Sequence, residues 1–173
     1  MNQTNNGSDE SAKSRLTETK YDEIRQLINQ YLADRGLNNN SFREGLKEEI
    51  QDYLKLSPTV ISKLSAEQCG EISIQLLQYS LFLLQEQNKE TATINWLEAT
   101  ISKAIAMEIG QIEAFKYEEK VNKAIKQNGY ARTLNDLKIA AKLRCDTLSY
   151  MSSYLKSMSD RFEKQAEIKK RYN

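Results

Sequence analysis

The sequence predicts an all-α fold: an elongated helical bundle with long C-terminal helices, coiled-coil-type packing and an oligomeric state. Three observations support this prediction. The 173-residue chain has six Gly and one Pro, too few turn residues for a β-sandwich or an α/β fold. Its apolar residues recur at three- and four-residue spacing, which is typical of helices. One predicted helix is apolar on most of its circumference, so it needs more cover than a single small domain supplies.

Composition and charge narrow the class of protein further. Hydrophobic residues make up 39% and charged residues 28%, which suits amphipathic helices with wide solvated faces and is too apolar for full disorder. Residues 1–115 carry 11 Lys/Arg and 17 Asp/Glu, a net charge of −6, whereas residues 116–173 carry 14 and 7, a net charge of +7. This asymmetry indicates either an anion-binding half or oppositely charged surfaces that meet.

We predict three segments. Residues 1–13 are rich in Asn, Ser and Gly and are expected to form a disordered tail. Residues 14–56 are expected to form an N-terminal helical pair. Residues 57–173 are expected to form a long-helix bundle that is the core oligomerising and binding region.

The N-terminal elements are predicted from capping residues. A first helix runs from about Thr17 to Arg35 and ends at Gly36. Ser41 and Glu44 form a capping box that opens a second helix. Ser57 followed by Pro58 combines an N-cap with proline at the first helical position, so a short helix follows there.

The C-terminal elements are longer. Ser65 and Gln68 form another capping box, which opens the largely apolar helix at about residues 66–87. A long helix is then expected over residues 91–127, with Asn128–Gly129 as a left-handed stop. The last helix is predicted to begin near Thr133 and to reach Arg171.

Heptad spacing distinguishes this last helix. Leucine, alanine and phenylalanine recur at one heptad position. At the other position, Arg144 lies among apolar residues. We expect Arg144 either to pair with a buried acid or to set the register of the helix packing. The pattern leaves open an intramolecular bundle helix or a seam between subunits. The predicted oligomer or core seam consists of Leu134, Leu137, Leu148, Met151, Leu155, Met158 and Phe162.

The composition argues against an enzyme. The chain has no His, and Cys69 and Cys145 lie 76 residues apart, so the usual bases, nucleophiles and metal sites are missing. No two glycines lie closer than nine residues, which excludes a glycine-rich phosphate loop. We therefore predict neither catalytic residues nor a cofactor.

Polarity also indicates where the protein acts. The most apolar run, residues 72–84, is too short to cross a membrane, and the polar N-terminus has no signal-peptide pattern. We expect reduced cysteines and a cytoplasmic location.

Basic residues around Gly129 are the candidate binding site. Lys116, Lys120 and Lys123 share one helix face by their spacing, and further cations follow across the turn. Lysines neutralise phosphates, and Tyr117 and Tyr130 are candidates for stacking on unpaired bases. The alternative is a solvated lysine face that balances nearby glutamates. The candidate nucleic-acid-binding residues are Lys116, Lys120, Lys123, Lys126, Arg132, Lys138 and Lys142.

Two runs have a particular shape. The first is LLQYSLFLLQEQNKETATINWLEATISKAIAMEIGQIEAF, a hydrophobic helix with a Tyr79–Ser80 step, a polar turn at residues 87–90 and a long helix. The second is KLRCDTLSYMSSYLKSMSDRFEKQAEIKKRY, a Leu/aromatic helix with Lys156–Ser157 before its last apolar section. In this pattern residues 64–172 resemble the UvsY-type recombination mediator proteins of T-even-like bacteriophages. The resemblance implies a non-catalytic helical homo-oligomer that binds single-stranded DNA. It also implies two protein partners, a single-strand binding protein and a RecA-like recombinase.

The chain departs from this family in two ways. The family is rich in Lys/Arg in the turn and early long helix, whereas here Lys89 and Lys103 are alone between residues 88 and 115 and are opposed by four glutamates. We therefore expect DNA binding from Lys116 onward. Residues 1–63 are additional, and their acidic helical pair is available to contact a partner or to cover the core.

Three functions remain open on the sequence. The first is a single-stranded DNA-binding mediator of recombination or replication. The second is a phage structural or assembly adaptor that uses the same heptads for protein contacts only. The third is a small regulator or inhibitor that binds one protein through its acidic N-terminal helices.

Overall fold

The computed structural model describes residues 7–37 and 46–172, and within these ranges the chain is helical and contains no strand. The predicted all-α class is therefore confirmed, together with the long C-terminal helices. No helix in the described ranges is both long and apolar enough to cross a bilayer. The helices are α1 (Gly7–Asp34), α2 (Leu46–Leu54), α3 (Pro58–Lys63), α4 (Ala66–Ala104), α5 (Ala106–Ile109), α6 (Tyr117–Gln127) and α7 (Gly129–Tyr172).

Contacts divide the chain into two compact units, each made of two segments. Unit 1 comprises residues 1–39 and 92–139, and unit 2 comprises residues 40–91 and 140–173. Each unit thus combines a segment from the N-terminal half of the chain with one from the C-terminal half, and both α4 and α7 contribute to both units. The predicted division into residues 14–56 and 57–173 stays a prediction.

Several helix ends follow the capping residues predicted from the sequence. Gly36 has a φ of 69°, and the Leu37 amide donates to the Leu32 carbonyl over 3.0 Å, which together end α1 in a Schellman motif. Ser57 caps α3 ahead of Pro58. The capping box before α4 is reciprocal: the Gln68 amide donates to Ser65 Oγ over 3.1 Å, and the Ser65 amide donates to Gln68 Oε1 over 2.8 Å.

Other predicted boundaries differ from the structure at the N-terminus. Helix α1 begins at Gly7, ten residues before the predicted start at Thr17, and so extends into the segment predicted as a tail. Ala12, Lys13 and nearby charged residues are good helix formers, so helical propensity continues in the N-terminal direction. Residues 1–6 and the predicted capping box of Ser41 and Glu44 lie outside the described residues.

The polar turn expected at residues 87–90 is wrong, because α4 continues through it to Ala104. This segment contains neither Gly nor Pro, so nothing in it breaks a helix. Local contacts also stabilise the helix there. Lys89 Nζ lies 2.8 Å from Glu86 Oε1, and Thr91 Oγ1 donates to the Gln87 carbonyl over 3.0 Å.

The long helix predicted over residues 91–127 is also wrong, since it is divided into the end of α4, α5 and α6. The first interruption is at the buried Ile105, whose φ of −102° and ψ of 3° leave the helical region. The second follows Gly110, and irregular chain continues to Lys116. Apolar periodicity runs through both breaks, so the pattern alone did not predict them.

In unit 2, two pairs of serines join α4 to α7. Ser80 Oγ donates to the Ser152 carbonyl over 2.9 Å, and Ser152 Oγ donates back to the Ser80 carbonyl over 3.0 Å. Ser73 and Ser159 make the same two bonds, at 3.0 and 2.8 Å. The partners run in opposite directions along the chain, so the helices are antiparallel. We call these contacts the serine pairs; all four side chains are buried.

The serine pairs require the two backbones to lie close together. Each hydroxyl reaches across to a main-chain carbonyl of the other helix, which only a short side chain allows. Large apolar side chains fill the space beside this contact, where α2 also packs. The buried core of unit 2 consists of Ile50, Cys69, Ile72, Leu76, Tyr79, Leu83, Leu155, Phe162 and Ala166.

The residues of the predicted seam on α7 differ in how deeply they are buried. Leu134, Leu155 and Phe162 are fully buried within their own units. Leu137, Leu148 and Met158 are partly buried against the same cores, whereas Met151 is exposed. One heptad position of α7 therefore packs in the intramolecular core. This is the first of the two predicted alternatives, a bundle helix rather than a seam between subunits.

The expectation that Arg144 lies within the apolar stripe is wrong. Its side chain is more than half exposed, and the guanidinium forms a two-point contact with Glu90, with Nε 2.7 Å from Oε1 and Nη2 3.0 Å from Oε2. The Glu90 side chain is mostly buried, so the expected pairing with an acid is present. The hydrogen bond to Glu90 raises the pKa of Arg144 above its usual value, which keeps the guanidinium charged.

Unit 1 has a separate core. Ile24 of α1, Leu97 and Ile101 of α4, and Ala131 and Leu134 of α7 are buried in it, together with Ile105 and Ala124. Tyr31 of α1 packs against Trp96 with ring centroids 6.3 Å apart. This core is the surface against which α6 lies.

We predict that Ser152→Val destabilises the protein by about 1–3 kcal/mol, because the branched side chain overfills the close contact and the Ser80 carbonyl loses the Ser152 hydroxyl as a donor. The measurement is the free energy of unfolding in urea. Ser153→Val is the matched control, since Ser153 is exposed on the same helix, and it should change stability by less than about 0.5 kcal/mol. Equal effects of the two variants would contradict the role given to the serine pairs.

Candidate nucleic-acid interface

Helix α6 forms because its sequence is strongly amphipathic. Ala124 is fully buried, and Val121 and Ile125 pack against the core of unit 1. Lys116 is the N-cap residue, and Lys120 and Lys123 follow at the spacing that keeps side chains along one side of a helix. The apolar face thus fixes α6 on unit 1 and sets the lysines along the edge of that face.

The lysines of α6 are accessible to solvent. Lys116, Lys123 and Lys126 are exposed, and Lys120 is half-buried. Within the described residues, Lys116, Lys120 and Lys126 form no ion pair or hydrogen bond through their side chains. Lys123 Nζ lies 3.4 Å from the Glu113 carbonyl, which is a long hydrogen bond that an anion could replace. We call these four residues the lysine face.

Two tyrosines accompany the lysine face. Tyr117 is 68% exposed and Tyr130 is 45% exposed. Tyr117 also lines an open cavity of about 320 Å³ in unit 1, together with Ile105, Val121 and Ile125. Glu98 and Lys138 line the same cavity. The Tyr117 ring is therefore accessible beside a recess of mixed polarity, and an accessible ring is what stacking on a planar group requires.

Asn128 joins α6 to α7. Its Oδ1 accepts from the Ala131 amide over 3.0 Å and so caps the start of α7. Its Nδ2 donates to the Ala104 carbonyl over 3.1 Å and to Glu108 Oε1 over 2.9 Å. The predicted left-handed stop is wrong, because Asn128 has a φ of −93° and α7 begins at Gly129 rather than near Thr133.

The remaining predicted cations have different surroundings. The Arg132 guanidinium donates to the Lys126 carbonyl and is exposed. Lys138 Nζ lies 3.8 Å from Glu98 Oε1, and its side chain is mostly buried. Lys142 is exposed and belongs to unit 2. The structure therefore brings Arg132 to the C-terminal end of the lysine face, and it gives Lys138 a carboxylate partner.

Carboxylates reduce the positive charge of this surface. Glu118 and Glu119 are exposed on α6 itself, so residues 116–127 carry four lysines and two glutamates. No local signal in the sequence identifies the Lys138–Glu98 pair, because its members lie 40 residues apart. Of the predicted cations in unit 1, the accessible ones without a carboxylate partner are thus Arg132 and the lysines of α6.

Among the described residues, His, Cys, Asp and Glu form no group of three or more that could hold a metal ion. The cysteines are not bonded to each other: Cys69 is buried and Cys145 is partly exposed. The candidate site therefore consists of cations and aromatic rings.

We predict that Asn128→Ala destabilises the protein by about 1–2 kcal/mol, because α7 loses its N-cap and the Ala104 carbonyl loses a donor. Thermal and urea unfolding measure the change. Asn122→Ala is the control, since Asn122 is exposed on α6, and its effect should stay within about 0.5 kcal/mol. A stable Asn128→Ala variant would show that Asn128 does not organise this connection.

The chain matches no protein-family model, no curated protein and no solved structure.

Proposed function

We propose that this protein is a non-enzymatic single-stranded DNA-binding protein that uses the lysine face of α6. The observation that carries the proposal is the set of accessible lysines on α6 beside the exposed Tyr117 ring. Lysines neutralise backbone phosphates, and an accessible ring stacks on an unpaired base, whereas the bases of a duplex are already stacked on each other. The combination favours a single strand.

The lysines suit binding that does not depend on sequence. Lys116, Lys120 and Lys123 are separated along one helix edge, and their flexible side chains carry compact charges that follow an irregular backbone. Arg132 extends this surface beyond the end of α6. Four or five cations on one subunit give modest affinity, and repetition in a homo-oligomer would add their contributions along one strand.

The wider role follows from the resemblance to phage recombination mediators. On this proposal the protein acts in the cytoplasm, that of the host if a phage encodes it, and assists a RecA-like recombinase in the presence of a single-strand binding protein. No membrane is involved.

A second candidate function is an assembly adaptor that acts through protein contacts alone. The observation that favours it is a set of exposed leucines on α4, such as Leu77 and Leu81. Such side chains in contiguous patches mark protein contacts. An adaptor would form complexes without binding DNA even at low salt.

Fluorescence anisotropy of a labelled single-stranded oligonucleotide, beside a duplex of the same length, distinguishes these functions. We expect tighter binding to the single strand and an affinity that falls with salt concentration. Absence of binding at low salt would contradict the DNA proposal and favour the adaptor.

We predict that Lys116→Glu, Lys120→Glu and Lys123→Glu combined lower the affinity for single-stranded DNA at least about tenfold, because three phosphate contacts are lost. The plot of log affinity against log salt concentration should become less steep by about 2, since each single-strand contact contributes about 0.7. Both quantities come from the anisotropy titration at several salt concentrations.

The control carries the same change of charge elsewhere. Lys63, Lys156 and Lys170 are exposed in unit 2, and their combined change to Glu should leave most of the binding intact. Circular dichroism checks that both variants fold. If the two triple variants lose affinity equally, overall charge rather than the lysine face determines binding.

A further inference from the structure

Helix α4 presents a row of large apolar side chains to solvent. Ile74, Leu77, Leu81 and Leu84 are 58%, 41%, 52% and 44% exposed. They are spaced by three, four and three residues, which is the heptad spacing of helices that pack against another helix. We call these four residues the α4 stripe.

The stripe is separate from the core of unit 2. Leu76, Tyr79 and Leu83 of the same helix are buried in that core. Ser73 and Ser80 are occupied by the serine pairs with α7. The helix therefore uses two of its sides within the unit and leaves a third apolar side exposed.

Charge is absent along this part of α4. No Asp, Glu, Lys or Arg occurs between Glu71 and Glu86. Gln78 and Gln85 flank the stripe, and both are exposed. An uncharged apolar row with a polar border is the composition of a protein interface, and it offers nothing that would attract a nucleic acid or a charged peptide.

The spacing of the stripe is self-complementary. In an antiparallel pair centred on residue 79, Ile74 lies opposite Leu84 of a second copy, and Leu77 lies opposite Leu81. A two-fold axis thus matches every member of the stripe with another member. The same arrangement places Glu71 opposite Gln87, whereas a parallel pair would place the two Glu71 carboxylates together.

We propose that the α4 stripe is the self-association surface of this protein and that it binds the same stripe of a second copy in antiparallel orientation. The proposal deepens the proposed function, on whose oligomeric state it rests. It also moves the contact between subunits from the predicted seam on α7 to α4.

The chain's own remaining segments do not suit this surface. Residues 1–6 and 38–45 contain Met1 and Phe42 as their only large apolar residues. Two side chains cannot cover four. A second copy supplies a matching row of the same length.

The first test is the mass of the purified protein, measured by sedimentation velocity over a range of micromolar concentrations without DNA. We expect the wild-type protein to self-associate and Leu81→Glu to sediment as a monomer. Leu143→Glu is the matched control, because Leu143 is also more than half exposed but lies on α7, and this variant should keep the wild-type mass. Leu81→Gln, a milder change, keeps the test valid if Leu81→Glu does not fold.

The outcomes separate this proposal from the DNA proposal. A monomeric wild-type protein, or folded Leu81 variants that keep the wild-type mass, would overturn the interface whatever the DNA titration shows. Loss of the oligomer in Leu143→Glu alone would assign the contact to α7 and overturn it as well. A lower sedimenting mass for the Leu81 variants alone supports the interface even if DNA does not bind.

A second test addresses the orientation. In a Cys145→Ser background, Leu77→Cys and Leu81→Cys proteins carrying tags of different size are mixed and oxidised. The antiparallel pair predicts that the mixed disulfide predominates, since residue 77 of one copy lies opposite residue 81 of the other. Predominance of disulfides between identical variants would contradict the antiparallel orientation.

Discussion

Unit 2 depends on the close contact of α4 and α7 at the serine pairs. Each hydroxyl bonds to a carbonyl of the opposite helix, so four buried polar groups are satisfied only when the helices keep one register. Ser73 and Ser80 are seven residues apart, as are Ser152 and Ser159. A slip of one heptad would therefore retain one pair and leave two buried serines without partners, which is costly. Hydrogen bonding specifies the register that apolar packing alone would leave ambiguous.

The serine pairs also determine which surfaces remain available. Because small residues occupy the line of contact, the large apolar residues of α4 lie to either side of it. On one side they form the core with α2 and α7, and on the other they form the exposed stripe. Within the described residues, a helix that appears apolar on most of its circumference is thus not fully buried. Its exposed side is the surface on which we propose self-association.

Capping residues and apolar spacing predict much of the fold, whereas contacts between residues far apart in the chain could not be predicted from the sequence. Gly36 and the Ser65–Gln68 box mark helix ends because their bonds lie within six residues. The predicted turn at residues 87–90 is wrong because polar residues alone do not end a helix where no helix breaker is present. On the candidate site, the exposure of the α6 lysines was predictable from their spacing. The neutralisation of Lys138 by Glu98 was not, since it depends on how α4 and α7 pack in unit 1.

The two ends of α6 are attached very differently. At its C-terminal end, one residue, Asn128, bonds to three separate groups. At its N-terminal end, residues 110–116 are irregular, and the Phe115 side chain is completely exposed. The C-terminal end of α6 is therefore held against α4 and α5 by the polar bonds of Asn128, whereas the chain before its N-terminal end packs on unit 1 through the partly buried Ile112.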